Sequence, residues 1–177
     1  MIVCSLPRCG ATRFCLDLEE KTKLKFVGEI HPIHIGNNRK SETHETGYQT
    51  NFTEDSFAEI LQDHSEHIVL INQHSYLLAN QASVFMLRRN MRNAALSIAN
   101  YMLKVYPELK PNAIRLNIGL MYNDYRALTA YLNKYQKEIV WYEEYYGIED
   151  TNTPLLDSYP GKDSIIKEID SYYGRKN

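Results

Sequence analysis

The sequence has no long apolar run, no excess of charge of one sign and few cysteines. No apolar stretch approaches the roughly 18 residues that a membrane-spanning helix requires, so we expect no membrane span. The 20 Lys and Arg residues nearly balance the 22 Asp and Glu residues, which leaves a net charge of −2. Dedicated nucleic-acid-binding domains are usually strongly basic, and we therefore expect no nucleic-acid partner.

The three cysteines are Cys4, Cys9 and Cys15, all near the start of the chain. An odd number in one short segment fits a reducing compartment better than the disulfide framework of a secreted protein. The first residues also lack the positive charge and the long apolar stretch of a secretory signal peptide. We therefore expect a cytoplasmic protein.

What the sequence does contain is typical of one ordinary folded domain. Its 177 residues are 44% hydrophobic and 24% charged, and they include no internal repeat or low-complexity tract. Short apolar runs alternate with helical periodicity, and the predicted strands cover residues 1–5, 24–27, 67–71, 83–87 and 138–142. We predict that residues 1–177 form a single α/β domain, a three-layer sandwich with a central parallel sheet of about five strands.

Helix-start signals separate these strands. Thr53 and Asn90 are of the residue types that cap helices, and Pro111 suits a first helical turn. Residues 29–52, by contrast, are rich in His, Asn, Gly, Arg, Ser and Thr. We interpret this stretch as a mobile loop on the substrate side, and plain disorder is the alternative that its composition leaves open.

The segment SLPRCGATR, residues 5–13, joins the first predicted strand to the first predicted helix. Ligands of open parallel sheets bind beyond the carboxyl ends of the strands, and helix N-termini attract anions. Gly10 allows the backbone to approach a phosphate closely because it has no Cβ. Arg8 and Arg13 add positive charge and Thr12 adds a hydroxyl donor, so the segment predicts an anion-binding loop.

Three other chemistries find little support in the sequence. The loop lacks the Gly-Lys-Ser/Thr of a Walker A motif, and no cysteine in it is followed by five residues and an arginine, as a cysteine phosphatase requires. Cys9 at a helix start could have a lowered thiol pKa, although a small loop residue is the simpler interpretation. Two pairs of histidines lie three residues apart, but no further ligands accompany them, and we expect no metal site.

The loop at residues 5–12 resembles the phosphosulfate-binding loop of sulfotransferases. That family carries Pro, then Lys or Arg, Ser, Gly, and Ser or Thr in this loop. Cys9 stands in place of the usual Ser and Ala11 in place of the usual Ser or Thr, whereas Arg8 and Thr12 keep the charge and the hydroxyl.

Residues 84–97, VFMLRRNMRNAALS, resemble the 3′-phosphate motif of the same family. That motif has an Arg at a strand end and a Ser eight positions later, the spacing of Arg89 and Ser97. Met91 stands where the family has Pro. Ser97 is expected about two turns into the following helix, so both side chains could face one phosphate.

Two further segments resemble the family in the expected order. Residues 139–144, IVWYEE, are similar to a late strand that ends in Tyr-Glu-Asp or Tyr-Glu-Glu. Residues 69–74, VLINQH, occupy the place of a strand that ends in Lys-Thr-His. His74 is retained there, whereas Asn72 replaces the Lys.

The resemblance implies a fold like that of P-loop nucleotide kinases and a sulfuryl transfer from 3′-phosphoadenosine 5′-phosphosulfate to a hydroxyl or amine acceptor, without a metal. It implies that Arg8 stabilises the leaving group. His74 is the first candidate for the general base, followed by Glu29 and then His31. The implied nucleotide-binding residues are Arg8, Cys9, Gly10, Ala11, Thr12, Arg13, Arg89 and Ser97.

Two other functions remain open from the sequence. A nucleotide kinase or phosphotransferase on the same fold predicts dependence on ATP and Mg²⁺. A catalytically inactive nucleotide-binding protein is compatible with the departures from the family at Cys9, Asn72 and Met91. The acceptor is equally open, because a carbohydrate, a small alcohol, a lipid head group and a peptide tyrosine all carry a hydroxyl, and acceptor choice depends on loops.

Overall fold

The computed structural model describes residues 1–30, 66–71, 82–148, 159 and 161–174. Strands and helices alternate along these segments much as the apolar pattern predicts. In chain order the elements are β1 (Ile2–Ser5), α1 (Ala11–Thr22), β2 (Lys25–Ile30), β3 (His67–Ile71), β4 (Val84–Leu87), α2 (Met91–Val105), α3 (Pro111–Lys134), β5 (Ile139–Trp141), α4 (Tyr142–Tyr146) and α5 (Lys162–Tyr173). Strand β2 is longer than predicted, because Glu29 and Ile30 pair with β3 instead of starting the predicted loop at residues 29–52. The rest of that predicted loop and the predicted helix after Thr53 lie outside the described residues.

The five strands form one sheet in the order β2-β3-β1-β4-β5. Every neighbouring pair is parallel, with Val3 opposite Leu70 on one side of β1 and opposite Val84 on the other. The register between β2 and β3 shifts at Gly28, whose φ of 109° suits glycine. An all-parallel sheet of five strands confirms the predicted fold class.

Helices cover both faces of this sheet, because alternate strand residues point to opposite sides. Val3, Leu70 and Met86 pack with α1 on one face. Ile2 and Phe85 belong to the core on the other face, which α2, α3 and α5 supply. Strands with apolar residues on both faces read as continuous apolar runs, which is why the sequence predicted a buried parallel sheet.

Helix α3 is the longest helix in the described ranges, with 24 residues. Its buried stripe consists of Ile114, Ile118, Met121, Leu128 and Leu132, and the half-buried Tyr125 packs beside it. The opposite side of α3 is exposed and mostly polar. Within the described segments, no helix is both long enough and apolar enough to cross a membrane.

Two helix starts refine the predictions. Asn90 caps α2 as predicted, with its side-chain oxygen accepting the backbone N–H of Asn93 at 3.0 Å. The last strand is shorter than predicted, because Tyr142 begins the short helix α4 instead of ending β5. Glu143 and Glu144 in the first turn of α4 favour this helix start, since acidic side chains stabilise helix N-termini.

The parallel strands β1 and β4 are neighbours in the sheet, but the helices that follow them lie on opposite faces of it. After β1 the chain enters α1 on one face of the sheet, and after β4 it enters α2 on the other face. In open parallel sheets such a reversal opens a crevice outside the carboxyl ends of the two strands, where ligands bind. The fold therefore places the candidate site at the carboxyl ends of β1 and β4.

Candidate functional site

Three turns meet at this edge of the sheet. They are the loop between β1 and α1 (residues 6–10, here called the first loop), the turn between β4 and α2 (residues 88–90), and helix α4 directly after β5. The first two contain Arg8, Cys9, Gly10 and Arg89, and α4 contains the Tyr-Glu-Glu segment, which begins at Tyr142. The edge thus brings together three motifs that are widely separated along the chain.

The first loop turns sharply into α1. Arg8 has a φ of 60° and Gly10 a φ of 83°, both in the left-handed region. Gly10 is the N-cap of α1 and has no side chain with which to cap the helix, and the first turn of α1 contains no acidic residue. The N-terminus of α1 therefore keeps its partial positive charge, as an anion-binding loop requires.

Tyr142 of α4 lies directly against Gly10. A Cβ placed on Gly10 would lie 2.5 Å from Tyr142 Cδ2 and closer still to Cε2. The Tyr142 side chain is buried. The Arg88 guanidinium lies over its ring, 4.4 Å from the ring centroid. Glycine is required here for this aromatic packing, whereas the sequence suggested glycine for the approach of a phosphate.

Arg8 and Ser97 form a direct hydrogen bond. The Nε of Arg8 donates to the Ser97 hydroxyl at 3.1 Å, although 89 residues separate the two positions. The Arg8 guanidinium also lies 5.4 Å from the ring centroid of Tyr101, one turn further along α2. The first loop is thereby fastened to α2 through an arginine and a serine, each from a different predicted motif.

Arg89 has different neighbours from Ser97. Its guanidinium forms an ion pair with Glu144 and lies 5.7 Å from the ring centroid of Trp141. The Arg89 side chain is 56% exposed, so this pair lies at the rim of the crevice and contributes little to stability. The structure brings Ser97 to Arg8, and none of the described contacts joins Ser97 to Arg89.

Glu143 organises the turn after β4. Its carboxylate accepts the backbone N–H of Arg89 at 2.9 Å and that of Asn90 at 3.3 Å. These are backbone donors at the start of α2, which carries the positive end of the helix dipole. The sequence identified the Tyr-Glu-Glu segment by resemblance, but only the structure shows that Glu143 holds the β4–α2 turn against α4.

The remaining residues of the first loop and of the start of α1 have distinct surroundings. Ala11 is buried and Thr12 is half-buried. Arg13 is exposed and stacks on Tyr146 at 4.1 Å from the ring centroid. Burial is also the main reason that the pKa of the Tyr146 hydroxyl is raised. Arg13 therefore contacts α4 on the α1 side of the sheet.

Cys9 is a buried thiol in the first loop. Loss of hydration raises its pKa to about 11, although the backbone N–H and the positive charge of Arg88 oppose this shift. A thiol with this pKa is almost wholly protonated near neutral pH, and the thiolate is the reactive form. The structure thus agrees with the interpretation of Cys9 as a packed loop residue.

We expect all three thiols of the native protein to react slowly with Ellman's reagent at pH 8. Cys4, Cys9 and Cys15 are each no more than 1% exposed. Unfolding in urea should expose all three, so the number of thiols that react quickly should rise from zero to three per chain. One fast thiol in the native protein that Cys9→Ser removes would show that the first loop opens in solution.

Of the three candidate general bases, Glu29 lies in a described segment. His74 and His31 lie outside the described residues. Glu29 belongs to β2, with its backbone opposite Leu70 of β3. Since β3 separates β2 from β1, the Glu29 backbone lies about 10 Å from β1 across the sheet. The structure therefore locates the strand of one candidate and leaves the choice among the three as a prediction.

Two residues at the site were not predicted from sequence. Arg88 lies within residues 84–97 and Tyr142 begins the Tyr-Glu-Glu segment, but neither side chain is given a role by the sequence pattern. Strand alternation gives a signal for Arg88, since every second residue of β4 points to the same face. The contact between Tyr142 and Gly10 has no sequence signal, because it joins positions that only the sheet order brings together.

Neither the metal-binding residue types of the described segments nor the comparison with known proteins indicates a function. In the parts of the chain that the structure describes, no group of three or more His, Cys, Asp or Glu residues is placed to hold a metal ion. No family model matches the chain, and neither the curated proteins nor the solved structures contain a match to it.

Proposed function

We propose that this protein is a sulfotransferase with a P-loop-type fold. Its donor would be 3′-phosphoadenosine 5′-phosphosulfate, and its acceptor a hydroxyl or amine group. The observation that carries the proposal is the hydrogen bond between Arg8 and Ser97. It joins the two segments that resemble the phosphosulfate loop and the 3′-phosphate motif, and it does so at the crevice where parallel sheets bind their ligands.

The proposed reaction is an in-line displacement at sulfur. The acceptor oxygen forms a bond to sulfur while the bond from sulfur to the bridging oxygen of the donor breaks. The electron pair of that bond stays on the bridging oxygen, so negative charge develops on the departing 3′-phosphoadenosine 5′-phosphate. The acceptor proton passes to a base, for which His74, Glu29 and His31 are the candidates in that order.

The residues of the crevice suit the charge that develops in this reaction. Arg8 is a permanent cation in the first loop, and the uncapped start of α1 adds backbone N–H donors beside it. Donors fixed in place before the reaction stabilise a developing anion better than mobile water does. In this proposal Arg8 and the loop face the phosphosulfate group, while Arg89 and Ser97 bind the 3′-phosphate.

Two observations favour a second candidate, a nucleotide-binding protein that does not catalyse transfer. Tyr142 covers the Cα of Gly10, and Glu144 already neutralises Arg89. In the sulfotransferase, the 3′-phosphate would replace Glu144 as the partner of Arg89. In the inactive protein, the same nucleotide would bind, but no acceptor would be sulfated.

Calorimetric titration with 3′-phosphoadenosine 5′-phosphate, ADP and ATP tests the proposal. We expect binding that needs no Mg²⁺ and prefers the nucleotide with the 3′-phosphate, because the crevice offers arginines instead of a Walker A lysine. Preference for ATP with Mg²⁺ would contradict the proposal and favour a phosphotransferase. Binding followed by no transfer from radiolabelled donor to a broad acceptor panel would favour the inactive nucleotide-binding protein.

A further inference from the structure

Arg88 and Arg89 are neighbours in sequence but belong to opposite faces of the sheet. Met86 packs on the α1 side and Leu87 on the α2 side. Continuing this alternation places Arg88 on the α1 side, with Tyr142, and Arg89 on the other side, with Trp141. The first loop enters α1 on the same face as Arg88.

The arginines of this region differ in how their charge is balanced. Arg89 pairs with Glu144, and Arg92 donates from Nε to Asp170 at 2.7 Å. For Arg88, the part of the chain that the structure describes supplies no carboxylate partner. Its Nε is buried and has no hydrogen-bond acceptor, and its guanidinium lies over the Tyr142 ring.

A buried N–H of a charged group without an acceptor is energetically unfavourable, and native proteins contain few of them. Two neighbours of Arg88 belong to the first loop or contact it. Its backbone N–H and its charge both act on the Cys9 thiol, and the ring beneath its guanidinium packs on Gly10. An anion held by the first loop would therefore lie near an arginine whose buried Nε–H has no acceptor among the described residues.

We propose that Arg88 is a further donor-binding residue, which contacts the phosphosulfate group of the nucleotide together with Arg8 and the first loop. The inference rests on the proposed function and adds a residue that the resemblance does not single out. Its chemistry is that of a guanidinium and a phosphoryl oxygen, which form strong charge-assisted hydrogen bonds. The Tyr142 ring holds the guanidinium in place for this contact.

The alternative is a purely structural role, in which Arg88 only holds Tyr142 over Gly10. A structural residue affects stability with or without an anion, whereas a ligand-binding residue affects the response to the anion. Inorganic pyrophosphate separates these roles, because it mimics the 5′ side of the donor and lacks the 3′-phosphate. The two roles thus predict different results for the same variants.

The experiment compares Arg88→Met, Arg88→Lys, Arg89→Met and Arg92→Met with the wild type. Binding of pyrophosphate and of 3′-phosphoadenosine 5′-phosphate is measured by calorimetry, and folding is checked by urea unfolding. We expect Arg88→Met to weaken both ligands about 10-fold or more, as expected for loss of a hydrogen bond to a charged group. Arg88→Lys should retain part of the affinity. Arg89→Met should weaken only the nucleotide, and the matched control Arg92→Met should leave both ligands unchanged.

Each result decides the inference. Unchanged pyrophosphate affinity in a folded Arg88→Met protein would overturn it while leaving the sulfotransferase proposal intact. Pyrophosphate binding that depends on Arg88, without preference for the 3′-phosphate nucleotide, would support Arg88 and contradict the sulfotransferase. A wild type that binds neither ligand would contradict both.

A second measurement covers the case in which Arg88→Met does not fold. The Nε–H signal of Arg88 in a ¹⁵N NMR spectrum of the wild type can be assigned by its absence in Arg88→Lys, which keeps the charge. Pyrophosphate should shift this signal because its N–H gains an acceptor. A signal that stays in place at saturating pyrophosphate would overturn the inference.

Discussion

Replacing Arg8 with alanine is expected to lower sulfuryl transfer about 100-fold to 1000-fold, the range found when one fixed donor to a developing anion is removed. The cause is the loss of the cation that the first loop places beside the departing oxygen. Removal of Arg8 also removes its hydrogen bond to the Ser97 hydroxyl, which joins the loop to α2. We therefore expect a lower kcat together with weaker donor binding, measured by steady-state kinetics with labelled donor.

Two controls isolate this effect. Arg126→Ala removes an exposed arginine that also lies near a tyrosine ring, Tyr122, but on α3, and it should leave kcat and donor KM unchanged. Arg8→Lys keeps the charge and loses the forked geometry, so intermediate activity is expected. An Arg8→Ala protein with full activity would remove Arg8 from the proposed mechanism.

Replacing Gly10 with alanine is expected to destabilise the protein by about 2–5 kcal/mol. One part of this cost is the left-handed backbone, since Gly10 has a φ of 83°. The other part is steric, because the new methyl group would overlap the buried ring of Tyr142. The ring is enclosed by Arg88 and by α1-side core residues, so it has little space to move. Urea unfolding monitored by circular dichroism measures the effect.

Gly147→Ala is the matched control for this prediction. Gly147 also has a positive φ, 60°, but a Cβ there would have no atom within 4 Å. It should therefore cost only the backbone strain of about 1–2 kcal/mol. Tyr142→Ala in the Gly10→Ala background should recover part of the lost stability, as contacting residues are energetically coupled. Equal losses for the two glycine variants would show that Tyr142 does not press on the first loop.

The order and type of the described elements follow from local patterns in the sequence. Continuous apolar runs predicted the strands of a parallel sheet, and the Asn90 cap and Pro111 predicted the starts of α2 and α3. Strands and helix starts depend on residues that are close in sequence, so they can be predicted from the sequence pattern. The shortened β5 shows the limit of this reasoning, because Tyr142 has the apolar character of a strand residue but packs on Gly10 as the first residue of a helix.

The candidate site was predictable in part for the same reason. Loop position, glycine and arginine content indicated an anion site at residues 5–13, and the β1–α1 turn is where the structure has this loop. The neighbours of each arginine were not predictable. The pattern suggested a common phosphate for Arg89 and Ser97, which stays a prediction, but it did not indicate that Ser97 contacts Arg8 or that Arg89 contacts Glu144.

The sequence by itself determined a parallel α/β sheet with a cationic, glycine-containing loop after its first strand. Both depend on periodicity and residue type within a few positions. Only the tertiary structure decided that Tyr142 covers Gly10, that Ser97 accepts a hydrogen bond from Arg8, and that the Arg88 Nε–H, beside the loop, has no acceptor in the described segments. The physical reason is the sheet order β2-β3-β1-β4-β5, which places β1 between two strands that follow it much later in the chain and so sets contacts that no local pattern encodes.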